Sequence, residues 1–98
     1  MVGLLLEAIN IIMQESKTVQ EIRKLIPFLP EKDIPLGYKF LDSRDFESLQ
    51  ELTNSAIKKV RNSRSLSAKP ELAERYKDVD TVMLYDLSYC IQDYISKL

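Results

Sequence analysis

Hydrophobic residues recur along most of this chain with the spacing of amphipathic α-helices. The most apolar stretch is residues 2–13, VGLLLEAINIIM. On a helix its apolar side chains would cover about 220° of the circumference, far more than the stripe of a surface helix. Such a helix needs neighbours on most sides, so we predict that it is the central core helix. The run is too short to span a membrane and lacks the basic start of a signal peptide.

A second helix is predicted over residues 19–26, where apolar residues repeat at helical spacing. Thr18 and Glu21 match a capping box immediately before it, in which each side chain bonds the backbone of the other. Pro27 has no amide donor and disfavours a helical conformation in the residue before it. The helix should therefore end or kink there.

Residues 27–41 contain three prolines and Gly37, but they are too apolar for a solvated linker. We expect a packed connection between the second and third helices, with one helical turn after Pro35. A short strand at residues 36–40 is the alternative, although the sequence offers no partner strand for it.

A third helix is predicted from Asp42, as N-cap, to about Arg61. One clean apolar stripe supports it: Phe46, Leu49, Leu52, Thr53, Ala56, Ile57 and Val60. Residues 62–68 are polar and serine-rich, which is typical of a linker. Pro70 suits the first turn of a short fourth helix.

The last helix is predicted to begin at Asp78 or Asp80 and to run almost to residue 98. Its core face is formed by Val79, Met83, Leu84, Leu87, Cys90, Ile91, Tyr94, Ile95 and Leu98. With only two glycines for tight turns, the chain favours helices over strands. The sequence thus predicts a single all-α domain over residues 1–98, a compact bundle of four to five helices.

The amino-acid composition excludes several kinds of site chemistry. The chain has no histidine and one cysteine, so an internal disulfide, a zinc site and a histidine general base are excluded. Cys90 lies on the predicted core face, where we expect a small buried hydrophobic residue. A net charge of −1 gives no general attraction to nucleic acid or to an anionic membrane. We expect a cytoplasmic protein with no cofactor, no small-molecule substrate and no enzymatic activity.

Two tyrosines on the last helix are the best candidates for a binding role. Tyr85 and Tyr89 are one turn apart, opposite the predicted core face and beside Gln92. Exposed tyrosines of this kind are common in protein interfaces, because they offer large, stiff, amphipathic surface. The competing interpretation, weighed equally, is that the first helix or residues 27–41 cover them.

A basic stretch without acidic residues is the second candidate, suited to phosphates: Lys58, Lys59, Arg61, Arg64 and Lys69. The third helix begins with acidic residues, so these cations also simply complement the helix dipole. No aromatic residue lies among them for stacking on bases. We favour that structural explanation.

The resulting hypothesis is a small non-enzymatic protein-interaction module: an adaptor, inhibitor or assembly subunit that binds a protein partner, itself, or both. A homodimer would bury the excess apolar surface of the first helix. The alternative is a nucleic-acid-associated accessory protein that uses residues 58–69. Small accessory proteins of phages and mobile elements share this lack of motifs, an association from size alone.

Overall fold

The computed structural model describes residues 17–98, and the predicted core helix at residues 2–13 lies outside them. Within the described residues all regular secondary structure is helical, and no strand is present. Residues 17–25 form α1. The later helices are α2 (Ile34–Asp42), α3 (Phe46–Ser63), α4 (Pro70–Tyr76) and α5 (Thr81–Ser96). The predicted all-α bundle of four to five helices is confirmed for this part of the chain.

Helix α1 ends close to Pro27, as the sequence predicts. Leu25 is its last residue, and a short 3₁₀ turn, Ile26–Phe28, follows with Pro27 in its first positions. Because Pro27 has no amide hydrogen, it cannot continue the α-helical hydrogen bonds. The predicted capping box is wrong, since residues 17 and 18 are already helical and Thr18 therefore does not cap the helix.

The connection at residues 27–41 is packed, as predicted, but it contains a second 3₁₀ turn and most of a helix rather than one helical turn. The alternative strand at residues 36–40 is also wrong, because α2 covers it. Pro35 lies in the first turn of α2, where a missing amide hydrogen costs nothing. Gly37 is buried against Ile26 and Leu29. Tertiary packing therefore offsets the low helix propensity of this segment.

The N-cap of α3 is Asp45, and the predicted cap at Asp42 is wrong. The Asp45 carboxylate accepts a hydrogen bond from the Ser48 amide at 3.2 Å. Asp42 is instead the last residue of α2, where it pairs with Arg23 of α1. Between the two helices Arg44 has a φ of 60°, in the left-handed region that glycine usually occupies. This turn contains no glycine, so it is difficult to predict from the local sequence.

The predicted apolar stripe of α3 faces the core. All its members are buried except Leu52, which is half-buried and packs against the buried cluster. Thr53 is fully buried, and its hydroxyl donates to the Leu49 carbonyl at 2.8 Å. The buried hydroxyl therefore has a hydrogen-bond partner within its own helix. Pro70 begins α4 as predicted.

Helix α5 is capped by Asp80, the second of the two predicted caps, whose carboxylate accepts from the Met83 amide at 3.3 Å. Its most deeply buried residues are Leu84, Leu87 and Ile91. Five further predicted core residues are half-buried: Val79, Met83, Cys90, Tyr94 and Ile95. Leu98 was predicted to be in the core, but it lies past the end of the helix and is 83% exposed.

Helices α3 and α5 form the most extensive helix–helix contact among the described residues. They run antiparallel, because the start of each lies beside the end of the other. At one end Phe46 packs on Tyr94, with ring centroids 4.5 Å apart. At the other end Arg64, just after α3, hydrogen-bonds Thr81 at the start of α5. The solvent-facing side of this helix pair carries the candidate site.

Candidate protein-interaction surface on α3 and α5

Both candidate tyrosines are exposed to solvent. Tyr85 is 48% exposed and Tyr89 is 73% exposed, and Gln92 beside them is exposed as well. They face solvent because α5 turns Leu84, Leu87 and Ile91 into the core on its opposite side. Residues 27–41 therefore do not cover the tyrosines, and the interpretation that the first helix covers them concerns residues outside the described range.

Val82 extends this apolar surface by one turn and was missed in the sequence. It is 66% exposed and precedes Tyr85 by three residues, so both lie on the same side of α5. The sequence already indicated this, because positions 82, 85 and 89 have helical spacing and none of them belongs to the predicted core face. We call Val82, Tyr85, Tyr89 and Gln92 the tyrosine stripe.

A shallow groove between α3 and α5 borders the tyrosine stripe. Its walls are Gln50, Asn54, Tyr85, Asp86, Ser88, Tyr89 and Gln92. Ser88 occupies the centre, since its hydroxyl donates to Asn54 Oδ1 at 3.0 Å and accepts from Gln50 Nε2 at 3.0 Å. These bonds tie the two helices together at the surface and hold the groove in one shape.

Gln50 Oε1 is buried beneath this network without a hydrogen-bond partner among the described residues. An unpaired buried acceptor costs free energy. The contact between the two helices is thus not optimised purely for stability at this point.

A line of exposed residues on α3 lies along the other side of the groove. We call Glu47, Glu51, Asn54, Lys58 and Arg61 the charge stripe; their spacing of three or four residues puts them on one face. The charge changes from negative to positive at Asn54. Among residues 17–98, none of these four charged side chains forms an ion pair within the chain.

The basic stretch is divided among four surroundings. Lys58 and Arg61 share a shallow surface pocket with Asn54. Lys59 lines a different pocket, of about 380 Å³, together with Arg75.

The other two members of that stretch lie beyond α3. Arg64 donates to the Val79 carbonyl at 2.7 Å and so ties the end of α3 to the start of α5. Lys69 is exposed immediately before α4. Of the five predicted phosphate-binding residues, only Lys58 and Arg61 therefore lie together.

Cys90 is half-buried rather than buried. Burial raises the pKa of its thiol, and the negative charges of Asp86, Glu21 and Asp93 raise it further. The thiol is therefore poorly suited to act as a nucleophile at neutral pH.

Comparison with known protein families, with curated proteins and with solved structures finds no match to this chain. Among residues 17–98, no cluster of three acidic or cysteine side chains is placed to hold a metal ion. Nor does that part of the chain contain a helix with the length and apolarity needed to cross a membrane.

Proposed function

We propose that this chain is a small, non-enzymatic protein-interaction module that binds a protein through the tyrosine stripe and the adjoining groove. The observation that carries the proposal is the exposure of Tyr85 and Tyr89, side by side, on the solvent face of the helix pair with the most extensive contact among the described residues. A rigid helix presents them, so little conformational entropy is lost when they become buried.

The surface has the composition of an interface centre. Tyrosine is enriched among residues whose truncation costs about 2 kcal/mol or more of binding energy. Val82 adds apolar area at one end of the stripe, and Gln92 adds amide hydrogen-bonding groups at the other. The Gln50–Ser88–Asn54 network supplies a polar border that is already held in place.

The experiment compares the wild type with Tyr85→Ala/Tyr89→Ala in affinity capture from the native cells. Because both side chains project into solvent, the variant should keep the wild-type circular dichroism spectrum and lose little unfolding free energy. A matched control, Leu66→Ala/Leu72→Ala, removes two exposed apolar side chains from a different part of the surface. A partner retained by the control and lost by the tyrosine variant supports the proposal.

Full binding by a folded Tyr85→Ala/Tyr89→Ala variant would overturn it. A parallel sample treated with nuclease tests the nucleic-acid alternative, which rests on Lys58 and Arg61. If every captured molecule is lost after nuclease treatment, and capture weakens steeply with salt, that alternative replaces this proposal.

A further inference from the structure

We propose that the tyrosine stripe and the charge stripe together bind a second copy of this chain, in an antiparallel arrangement about a two-fold axis near Asn54 and Ser88. This inference rests on the proposed function, because it names the partner of the same surface. The homodimer suggested by the sequence would instead bury the apolar surface of residues 2–13.

The charge stripe carries the argument, because it is complementary to itself. Glu47 and Arg61 lie seven residues before and after Asn54, and Glu51 and Lys58 lie three before and four after. At about 1.5 Å per residue, the outer charges lie about 10 Å on either side of Asn54. A two-fold rotation there places Glu47 and Glu51 of one copy against Arg61 and Lys58 of the other.

Such a rotation relates the same surface of two identical chains, which is the commonest symmetry of soluble oligomers. A partner with one uniform charge would be attracted to one half of the stripe and repelled by the other. A second copy in antiparallel orientation is attracted along the whole length. The four charges are also free of ion pairs within the described chain, unlike Arg23, which pairs with Asp42.

The tyrosine stripe fits the same axis. Ser88 hydrogen-bonds Asn54 at 3.0 Å, so the midpoint of the charge stripe lies beside the part of α5 between Tyr85 and Tyr89. Because α3 and α5 are antiparallel, Tyr85 belongs to the half with Lys58, and Tyr89 to the opposite half. The rotation therefore brings Tyr85 of one copy towards Tyr89 of the other, where aromatic side chains can pack together.

Among the residues that line the groove, Asp86 is the one charge, and it opposes this pattern. It lines the groove beside Tyr85, in the half that holds the two cations. Two cations against one carboxylate leave that half positive, so the complementarity is reduced and not reversed. Asp93, at the negative end, is already paired with Lys97 at 3.0 Å.

Two charge-reversal variants test the arrangement by sedimentation velocity over a range of concentrations. Glu47→Lys/Glu51→Lys makes the whole stripe positive, and Lys58→Glu/Arg61→Glu makes it negative. Each variant alone should associate at least about tenfold more weakly than the wild type, because attraction becomes repulsion on both sides of the axis. Mixed in equal amounts, the two variants should form a heterodimer.

A matched control is Lys32→Glu/Lys39→Glu, which changes the net charge as much as the negative variant does at two exposed lysines outside the surface. It should dimerise like the wild type. The mixing arm keeps the test valid even if reversing charges at the ends of α3 weakens the helix, because a merely destabilised protein would not recover on mixing with its counterpart.

A wild type that is monomeric at every accessible concentration would overturn this inference, and so would a dimer that neither charge variant weakens. The tyrosine variant then separates the two proposals. If Tyr85→Ala/Tyr89→Ala abolishes a dimer that the charge variants leave intact, the binding surface stands and the antiparallel arrangement fails. If a dimer survives all three variants, self-association uses another surface.

Discussion

Gly37→Ala should destabilise the fold, although helix propensity alone predicts the opposite. Gly37 lies inside α2, where alanine is normally favoured over glycine by about 1 kcal/mol. No glycine among residues 17–98 has a positive φ, so its backbone does not require glycine. The requirement is spatial, because an added Cβ would lie 2.7 Å from Leu29 Cδ1 and 3.2 Å from Ile26 Cγ2.

The magnitude follows from how little these neighbours can move. Ile26 is 0% exposed and Leu29 is 3% exposed, so neither can swing into solvent. Inserting a methyl group into a packed core typically costs about 1–3 kcal/mol. After subtraction of the propensity gain, we expect a net loss of about 1 kcal/mol of unfolding free energy. For a domain of this size that corresponds to a fall of about 5 °C in Tm.

Urea unfolding followed by circular dichroism would measure this loss. Leu29→Val removes the carbon nearest to the new methyl group, so the double variant should be more stable than the sum of the single changes predicts. Ser55→Ala, on the exposed face of α3, is a control for propensity and should be neutral or slightly stabilising. A Gly37→Ala protein about 1 kcal/mol more stable than the wild type would refute the packing argument.

Two further predictions concern α5 and its attachment to α3. Arg64→Ala should lower the unfolding free energy by about 1 kcal/mol, because it removes a hydrogen bond from a charged donor to the Val79 carbonyl. Lys59→Ala, which removes an exposed cation of α3 outside the charge stripe, is the control, and equal stability of the two variants would contradict the prediction. The raised pKa of Cys90 means that the folded chain holds its thiol proton more tightly than the unfolded chain does. Alkylation should therefore be slower than in the urea-unfolded protein at mildly alkaline pH, and stability should fall as pH rises through the thiol pKa, a fall that Cys90→Ala removes. Equal alkylation rates in the folded and unfolded states would contradict this assignment.

Much of the candidate site could be predicted from the sequence, because it depends on helical periodicity. Tyr85, Tyr89 and Gln92 lie opposite a strong apolar face, and that opposition already placed them together. Val82 could have been added from the same spacing. Whether the tyrosines face solvent depends on how the other helices are arranged around α5, so their exposure required the structure. The charge stripe became meaningful only when Asn54 was found beside Ser88, which is distant in the sequence.

The sequence by itself determined the features that arise from local chemistry. Pro27 ends α1 and Pro70 begins α4 because a missing amide hydrogen has the same consequence in any fold. The apolar stripe of α3 was predictable because the apolar residues that recur at helical spacing are also the residues that the fold buries. Only the tertiary structure decided the conformation of residues 27–41, where Gly37 disfavours a helix locally and packing against Ile26 and Leu29 offsets that preference. The cap of α3 is Asp45 rather than Asp42 because α2 continues to Asp42 and the chain turns at Arg44 before α3 begins.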